Sequence, residues 1–498
     1  MNIASALVES AAKYPEKILI RFEGTSFTYR QINELSEQLA AGLIEAGLIA
    51  GDRIALYLPN VPEFVIAYYA IQKIGAVSVT INAILKREEV RYLLDDSESK
   101  LVFTEAELLP NVPQDCPGLL YRVVTDKAGQ GSLADWIGVG NARLKKLPLV
   151  LENRGAQDTA AILYSSGTTG FPKGVELSQH NIDSNVATCA KYAAYTVDDK
   201  LALFLPLFHV YGQNFIMNAG VRSGVCLVMF RRFVPDVVVK AIGQEGITMF
   251  FGVPTIFIAI LAMDLSPYDL SSIRFEMSAA ATMPEEISKR WTEKFDRPIF
   301  EGYGLTECSP FACYNDLVSH RFGSVGRAVE NFELAIHDEA GREVDRGTWG
   351  EIVIKGPGVM KGYWNRPEES RLALRNGWLH SGDIGRMDDE GYVFIVDRVK
   401  DMINVSGFKV WPAEVEQYLY KIDAIQEVAV YGLAHAEKGE QVAVAVVAKP
   451  GYRLSADDVF AFCKENLAAY KYPAYVHIVD ALPKSATGKI LKRVLRAG

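Results

Sequence analysis

The sequence predicts an α/β protein with a large N-terminal part and a smaller α+β part at the C-terminal end. Apolar strand-like runs alternate with amphipathic helix-like segments up to about residue 330, as in a layered α/β domain. Short strands and turns then replace that rhythm, and a charged break at residues 397–401 precedes the final segment. A chain of 498 residues is long enough for one large core and an appended domain.

Local sequence signals predict the first elements in order. Thr28 and Gln31 form a capping box, and apolar residues follow at helical spacing until Gly47. Residues 106–155 contain several prolines and glycines and show only weak periodicity, so no site is placed there. The predicted elements between these two regions are a strand at 53–58, a helix at about 62–74, a strand at 76–81, a helix-like stretch at 87–94 and a strand at 100–104.

The last hundred or so residues carry weaker but separable signals. A helix is predicted to begin near Pro412, a strand covers residues 442–447, and Ser455 caps a helix that runs through Leu467. We place the domain boundary at residues 397–400, where the strand at 392–396 runs into charged residues.

Composition and charge disfavour several classes of protein. Hydrophobic residues at 49% and charged residues at 23% are typical of a globular enzyme. The formal net charge of −9 argues against nucleic acid or an anionic membrane as the main partner. The most apolar stretch, residues 249–263, is interrupted by Gly252 and Pro254 and is shorter than the ~20 residues of a membrane span, so no stable membrane insertion is expected.

The N-terminal residues and the cysteines predict a cytoplasmic location. The N-terminal segment has no basic flank and meets Glu9 early, so it is not expected to be a signal peptide. The six cysteines are scattered without a C-x-x-C pair, which predicts reduced thiols rather than disulfides or a metal site.

Residues 164–174, with the sequence YSSGTTGFPKG, form the most distinctive segment of the chain. Its glycines let backbone N–H groups turn inward, its hydroxyls can donate, and Lys173 adds a positive charge, which together suit phosphate oxygens. The spacing of the P-loop motif fails at Pro172. A flexible surface hairpin is the alternative interpretation.

Residues 301–307, with the sequence EGYGLTE, form a second candidate site. A dinucleotide-binding fingerprint is excluded because Glu307 stands where a third glycine is required. A carboxylate is a suitable Mg²⁺ ligand beside phosphate oxygens. The alternative is a glycine-rich turn with a surface glutamate.

Both segments resemble motifs of the adenylate-forming (ANL) superfamily, which includes acyl-CoA synthetases, coumarate–CoA ligases, luciferases and non-ribosomal peptide adenylation domains. Residues 164–174 are similar to its pattern Y-[ST]-S-G-[ST]-T-G-x-P-K-G, and residues 303–307 are similar to Y-G-x-T-E. Further motifs follow in the family's order over most of the chain. The resemblance implies that residues 1–397 hold the ATP and acyl pocket, and that residues 398–498 form a mobile domain with the catalytic lysine.

The resemblance also implies roles on the nucleotide side. The ring of Tyr303 would stack on adenine, Thr306 would contact the α-phosphate, and Glu307 would hold Mg²⁺, with Thr306 and Glu307 both counted as catalytic. Asp383 would accept hydrogen bonds from both ribose hydroxyls, a role that needs a group with acceptors only. Arg398 would contact the ribose and the phosphates. The full cofactor-binding set is Ser165, Ser166, Gly167, Thr168, Thr169, Gly170, Lys173, Ala279, Ala280, Glu301, Gly302, Tyr303, Gly304, Asp383, Ile395, Arg398, Lys400 and Gly407.

One segment departs from the family pattern. The adenine-side motif S-G-[AG]-x-P corresponds to residues 278–282, which read SAAAT. Alanine in place of glycine adds a methyl group where the backbone usually passes the base, so the detail of the adenine contacts differs.

The C-terminal segment 482–490 resembles the motif P-K-[ST]-x-[ST]-G-K and identifies Lys489 as the catalytic lysine. A solvated basic tail is the alternative, because residues 484–496 hold five basic residues and no acid. Lys400 matches the family's hinge position, about which the small domain would rotate. Gly407 resembles the glycine beside which a pantetheine arm passes, although a hairpin glycine would look the same.

The acyl side is predicted around His209, whose place resembles the family position near the substrate carboxylate. The substrate-binding set is His209, Val210, Tyr211, Gly212 and Ala281. We identify no charged residue placed to hold a polar acid tail, so we expect a hydrophobic carboxylic acid: a medium- or long-chain fatty acid, or an aryl-propenoic acid.

The expected enzyme is an acid–thiol ligase that uses ATP, Mg²⁺ and coenzyme A. The phosphopantetheine thiol of an acyl carrier protein is the alternative acceptor, and a luciferase-like oxygenase is a second alternative. A non-catalytic adenylate-binding module is disfavoured, because Lys173, Glu307 and Lys489 are all present.

Overall fold

Residues 2–165, 171–316, 320–398, 401–435 and 438–497 are described by a computed structural model. The helices are α1 Ser5–Lys13, α2 Tyr29–Glu45, α3 Pro62–Lys73, α4 Arg87–Asp96, α5 Leu133–Leu144, α6 Gln179–Tyr192, α7 Ala219–Ser223, α8 Pro235–Glu245, α9 Pro254–Leu261, α10 Glu285–Phe295, α11 Pro367–Ala373, α12 Pro412–Leu419, α13 Ala456–Asn466 and α14 Lys492–Ala497. A π-helix covers Tyr211–Asn218, and short 3₁₀ turns cover Leu109–Asn111, Thr306–Cys308 and Ala469–Lys471.

The strands fall into four sheets. They are β1 Ile18–Phe22, β2 Thr25–Thr28, β3 Arg53–Tyr57, β4 Val77–Thr80, β5 Leu101–Thr104, β6 Tyr121–Val124, β7 Thr159–Ser165, β8 Lys173–Ser178, β9 Lys200–Leu203, β10 Cys226–Met229, β11 Met249–Gly252, β12 Phe275–Ala279, β13 Phe300–Tyr303, β14 Cys313–Tyr314, β15 Arg327–Ala328, β16 Glu333–His337, β17 Gly350–Lys355, β18 Gly362–Tyr363, β19 Leu374–Arg375, β20 Trp378–Met387, β21 Val393–Arg398, β22 Ile403–Val405, β23 Phe408–Val410, β24 Ile425–His435, β25 Gly439–Ala448 and β26 Tyr475–Ile478.

Two mainly parallel sheets form the bulk of the large N-terminal part. Their strand orders are β15-β14-β13-β12-β11-β9-β10-β1-β2 and β18-β8-β7-β4-β3-β5-β6. Every residue of β4 and β5 is buried, as expected for central strands of a parallel sheet with both faces covered. The predicted α/β class of this part is confirmed.

Two smaller sheets complete the fold. The strands β16-β17-β20-β19, with β21 beside β20, form an antiparallel sheet. The strands β23-β22-β25-β24, with β26 parallel to β25, form the sheet of the small C-terminal domain, where α12 and α14 pack against β24. The large α/β domain and small α+β domain are therefore confirmed, while the division at residues 397–400 stays a prediction.

Local signals locate several helices to within a few residues. The Thr28 Oγ1 accepts from the Gln31 backbone N–H at 3.2 Å, and Gln31 Oε1 accepts from the Thr28 N–H at 2.8 Å, so the predicted capping box begins α2. The Ser455 Oγ likewise accepts from the Asp458 N–H at 3.2 Å, at the start of α13. These side chains satisfy backbone donors that a helix leaves unpaired at its first turn.

The weakly patterned region 106–155 contains a full helix, α5, that the periodicity did not indicate. It packs against α2 at a point where each helix presents a glycine. A Cβ on Gly140 would collide with the backbone oxygen of Gln38, and a Cβ on Gly42 would collide with that of Trp136. The two backbones approach too closely for side chains at this point, so glycine interrupts the apolar pattern of the helix there.

Replacing Gly140 with alanine is expected to destabilise the protein by about 1–3 kcal/mol or more, because a methyl group there overlaps backbone atoms. Gly138 is the matched control, since a Cβ at this position of the same helix meets no atom within 4 Å. Gly138→Ala should raise stability by roughly 0.5–1 kcal/mol through helix propensity. Thermal unfolding of both variants tests this, and a Gly140→Ala protein as stable as the wild type would contradict it.

Two further features concern the chain as a whole. In the part of the chain that the structure describes, no helix combines the length and apolar character needed to cross a bilayer. All six cysteines are buried and free, in agreement with the predicted reduced thiols.

Candidate active site

The predicted adenine-side residues lie at the ends of two neighbouring parallel strands. In β12 and β13, Ala279 is the register partner of Gly302 and Ser278 is that of Glu301. Ala280, Ala281 and Gly304 follow these strands at the same edge of the sheet. Ligands of α/β proteins bind at the carboxyl ends of parallel strands, so the fold gathers these residues where a nucleotide is expected.

The predicted phosphate loop connects β7 to β8. These strands are antiparallel, and Ser165 is the register partner of Lys173. Both residues therefore flank the base of the loop. Its central predicted residues, Ser166, Gly167, Thr168, Thr169 and Gly170, lie outside the described residues.

Glu307 lies beside this loop base and is only 9% exposed. Its Oε1 accepts a hydrogen bond from the Ser165 hydroxyl at 3.3 Å and from the Tyr363 hydroxyl at 3.0 Å. The Lys173 Nζ lies 5.2 Å from the centre of the Tyr363 ring. Tyr363 thus contacts both the predicted Mg²⁺ ligand and the predicted phosphate-binding lysine.

The turn between Tyr303 and Glu307 depends on a close backbone approach. A Cβ on Gly304 would overlap the backbone oxygen of Pro310, so glycine alone fits there. The 3₁₀ turn Thr306–Cys308 follows at once, with Thr306 half-buried at its start. This turn carries the two predicted catalytic residues Thr306 and Glu307 to the side of the loop base.

The predicted ribose side is assembled from three separate strands. The Tyr303 hydroxyl donates to Asp383 Oδ2 at 2.8 Å, and the Arg398 Nε lies 3.3 Å from Asp383 Oδ1. Asp383 in β20 is the register partner of Arg398 in β21, and Ile395 lies in β21, opposite Gly385. Burial and the Asp383 carboxylate raise the pKa of Tyr303, so its hydroxyl stays a donor.

The alanine-rich segment has an unusual backbone. Ala280 has a φ of +72°, in the left-handed region that side chains with a Cβ adopt infrequently. Such conformations persist where the surrounding structure imposes them, and they concentrate at functional sites. The segment therefore keeps a glycine-like turn although it contains alanine.

Glu301 is buried directly behind this segment. Its Oε1 and the Ser278 Oγ are buried without a hydrogen-bond partner in the described chain. Burial raises the pKa of Glu301 to about 8, and nearby Glu285 acts in the same direction, while the backbone N–H of Met283 favours the charged form. The carboxyl group is thus largely protonated at neutral pH.

Because the folded protein holds a proton on Glu301 that the unfolded chain releases near pH 4.5, stability should fall as pH rises toward 8. The loss attributable to Glu301 approaches about 1.4 kcal/mol per pH unit within that window. Glu301→Gln removes the titration, so the difference in Tm, variant minus wild type, should grow between pH 6 and pH 8. Parallel Tm–pH curves would contradict this assignment.

On the predicted acyl side, His209 is held neutral. The Tyr211 backbone N–H donates to His209 Nδ1 at 3.2 Å, so the neutral ring carries its proton on Nε2. Burial, and to a smaller extent the charge of Lys489, lowers the pKa of His209 to about 3. The neutral histidine keeps one N–H donor, and its low pKa makes it a poor general base.

Buried aromatic rings close the region behind Tyr211. Tyr211 and Gly212 begin the π-helix, Val210 directly precedes it, and all three residues are buried. Phe215 is 1% exposed. The centre of its ring lies 5.5 Å from the ring centre of Tyr211 and 5.1 Å from that of Phe311. The predicted acyl side is therefore bounded here by a wall of aromatic rings.

The small domain docks against the large one through the segment that carries Lys489. The Thr255 hydroxyl donates to the Gly488 carbonyl at 2.8 Å, and the Lys489 N–H donates to the Ser485 Oγ at 3.1 Å. A Cβ on Gly488 would lie 2.9 Å from Val253 Cγ2, which shows how closely the two domains approach. This docking brings the Lys489 charge close enough to His209 to affect its pKa.

Three of the other four basic residues of the C-terminal run form ion pairs instead of a solvated tail. Lys484 pairs with Glu427 at 2.6 Å, Lys492 with Glu416 at 2.9 Å, and Arg496 with Asp401 at 3.1 Å. The alternative interpretation of a free basic tail is therefore wrong. These ion pairs connect the C-terminal segment to the rest of the small domain.

The roles of the two predicted residues of the thioester step stay predictions. Lys400 lies outside the described residues. Gly407 (φ +88°) lies in an exposed hairpin turn, and its N–H donates to Asn404 Oδ1 at 2.9 Å. Among the described residues, no hydrogen bond links Gly407 to the nucleotide side, so its role stays a prediction.

The sequence interpretation missed Tyr363 and Thr255. Tyr363 reaches Glu307 because β18 pairs antiparallel with β8, a contact between segments far apart in the chain. Thr255 starts α9 and meets Gly488 across the domain interface. Neither has a local pattern, so no single-sequence signal marks them.

The site and fold agree with a known family. Residues 7–364 match the model of the AMP-binding enzyme family, and residues 414–489 match that of the AMP-binding enzyme C-terminal domain. The chain therefore belongs to the AMP-binding enzyme family, within the adenylate-forming superfamily that its motifs resemble.

Individual relatives support a narrower class. A long-chain-fatty-acid–CoA ligase of Bacillus subtilis (strain 168) is 35% identical, with 99% of this chain and 94% of the relative covered. The anthranilate CoA ligase AuaEII in complex with anthranoyl-AMP has a TM-score of 0.93 at 29% identity, covering 100% of this chain and 97% of that one. The predicted class, an AMP-forming acid–thiol ligase, is confirmed by these matches.

A third relative is available in two states. ATP-bound MatB from Rhodopseudomonas palustris has a TM-score of 0.91, and apo MatB has a TM-score of 0.80. Both are 31% identical, and both comparisons cover 100% of this chain and 99% of the other. The present structure is thus more similar to the ATP-bound form.

Proposed function

We propose that this enzyme converts a hydrophobic carboxylic acid and ATP to an acyl-adenylate and pyrophosphate, and then transfers the acyl group to the thiol of coenzyme A. The observation that supports this most is the position of Lys489. The small domain carries it to the large domain, beside the neutral His209 and the apolar residues around it.

In the first step a carboxylate oxygen forms a bond to the α-phosphorus of ATP, and the bond to the leaving pyrophosphate breaks. A negative nucleophile then approaches a polyphosphate, so cationic groups must stabilise the charge that develops. Lys489 and Lys173 are the candidate cations, on opposite domains. The Nε2–H of His209 can donate to the carboxylate and orient it.

The residues present also fit a Mg²⁺ ion. Hard divalent cations prefer carboxylate and phosphate oxygens. The two hydrogen bonds to Glu307 among the described residues both fall on Oε1, so we propose that Oε2 faces the metal. When bound, Mg²⁺ would neutralise phosphate charge there, while Tyr363 and Ser165 hold the carboxylate in place.

The domain arrangement corresponds to this first step. Lys489 is docked, and the overall structure is more similar to ATP-bound MatB than to apo MatB. In the second step the thiol attacks the acyl carbon and AMP leaves. We propose that the small domain rotates between the steps, so that Lys489 withdraws and the pantetheine arm can enter.

The acid is proposed to be a medium- or long-chain fatty acid. The predicted pocket residues Val210 and Tyr211 are apolar or aromatic, and the Bacillus relative is named for long-chain fatty acids. An aryl acid is the second candidate, because the aromatic wall behind Tyr211 favours a flat ring and AuaEII acts on anthranilate.

Acid-dependent ATP–pyrophosphate exchange across a panel of acids tests the proposal. For a fatty acid, kcat/KM should rise with chain length by up to ~0.8 kcal/mol per buried CH₂ until the pocket ends. A preference for cinnamate-type acids over every alkyl chain would favour the second candidate. A strict preference for acetate or for an amino acid would contradict the hydrophobic pocket.

The acceptor is tested separately with a preformed acyl-adenylate. Coenzyme A and a phosphopantetheinylated carrier protein are offered in parallel, and kcat/KM is compared. We expect acyl-CoA to form readily. Efficient acylation of the carrier protein with acyl-CoA at background would contradict the choice of coenzyme A while leaving the adenylation step intact.

A further inference from the structure

Gln417, on α12 of the small domain, makes a two-point contact with the main chain of the large domain. Its Oε1 accepts from the Glu285 backbone N–H at 2.9 Å, and its Nε2 donates to the Met283 carbonyl at 3.4 Å. A primary amide carries an acceptor and a donor side by side, so it can satisfy a backbone N–H and C=O together. The two bonded residues flank Pro284.

The contacted backbone continues directly from the predicted adenine-side segment. Met283 lies two residues after the alanines 279–281 and beside the buried Glu301 carboxyl. The left-handed Ala280 is three residues upstream. A change in this segment on nucleotide binding would therefore reach the two groups that Gln417 holds.

Neighbouring contacts make Gln417 part of one interface. Arg290, on the helix α10 that Glu285 begins, donates to the Tyr420 carbonyl at 3.4 Å and lies 3.8 Å from Asp423. The hydrogen bond from Thr255 to the Gly488 carbonyl joins the same two domains, next to Lys489. A rotation of the small domain would break the two Gln417 bonds, so these bonds stabilise the docked arrangement.

We propose that Gln417 is a positioning residue that couples the adenine-side segment to the docking of the small domain, and thereby holds Lys489 in place for adenylation. The proposal rests on the two-step function above. Gln417 acts through the main chain and through Lys489, without contacting the reacting atoms.

The test separates the two half-reactions. Gln417→Ala should lower the rate of acid-dependent pyrophosphate exchange by about five- to twentyfold. This is the effect expected when the docked arrangement loses two hydrogen bonds and the undocked arrangement loses none. Thioester formation from supplied acyl-adenylate should stay equal to wild type or rise. Gln417→Glu keeps the acceptor for the Glu285 N–H but places a carboxylate oxygen against the Met283 carbonyl, so its exchange rate should also fall below wild type. Gln441→Ala, on β25 of the same domain, is the matched control and should match wild type.

Equal losses in both half-reactions, or unchanged exchange, would overturn the proposal. If wild-type enzyme shows no exchange with any acid, the proposed function fails, and a second measurement decides about Gln417. Dyes on cysteines introduced at the exposed Glu88 and Lys464 report the domain arrangement by energy transfer. ATP should shift the wild type more than Gln417→Ala, and identical responses of the two proteins would overturn the coupling.

Discussion

Replacing Lys489 with alanine is expected to slow acyl-adenylate formation by about 10²–10³-fold, as the loss of a preorganised charge at a reacting group does. Lys489 follows Gly488, which is bonded to Thr255 of the large domain, and its charge already acts on His209. Thioester formation from supplied acyl-adenylate should change little, because we propose that Lys489 withdraws before that step. Pyrophosphate exchange and thioester formation are measured on the same preparation.

Arg493→Ala is the matched control for this prediction. Arg493 is an exposed cation in the same basic run, so its removal changes net charge equally without touching the docked segment. Its exchange rate should stay within about twofold of wild type. Exchange by Lys489→Ala within a few-fold of wild type would remove Lys489 from the mechanism.

Glu307→Gln is expected to reduce adenylation by about 10²-fold and to raise the Mg²⁺ concentration needed for half-maximal rate. Glutamine keeps the size of the side chain and an oxygen that can accept from Ser165 and Tyr363. It loses the charge that would bind the metal. Exchange rates over a Mg²⁺ titration measure both effects.

Two further variants serve as comparisons for Glu307→Gln. Tyr363→Phe removes one hydrogen bond to Glu307 and should cause a smaller loss, of about threefold to tenfold. Glu330→Gln neutralises a surface carboxylate that pairs with Lys191 and should have no effect. A Glu307→Gln enzyme with the wild-type Mg²⁺ dependence would show that this carboxylate does not bind the metal.

Local signals predicted much of the fold. The capping box at Thr28, the strand at residues 53–57 and the helix after Ser455 depend on neighbours a few residues away, so their sequences contain the necessary information. Helix α5 was missed although Leu133, Trp136 and Ile137 pack against the core, because Gly140 interrupts its apolar pattern where it meets the backbone of α2.

Some residues of the candidate site could be predicted from the sequence, and others could not. Motif resemblance pointed to Glu307, Asp383 and Lys489 because each lies in a short contiguous pattern. Tyr363 and Gln417 have no such pattern, since their partners lie in distant strands or in the other domain. The protonated state of Glu301 likewise depends on burial.

The sequence by itself determined the α/β class, the adenylate-forming family and the residues of the motifs, because these follow from local periodicity and contiguous patterns. Only the tertiary structure decided which of those residues meet. The pairing of Tyr303, Asp383 and Arg398, the neutral state of His209 and the docking of Lys489 each require segments brought together by strand register or by domain contact. Such contacts depend on the packing of the whole chain, and no short stretch of it encodes them.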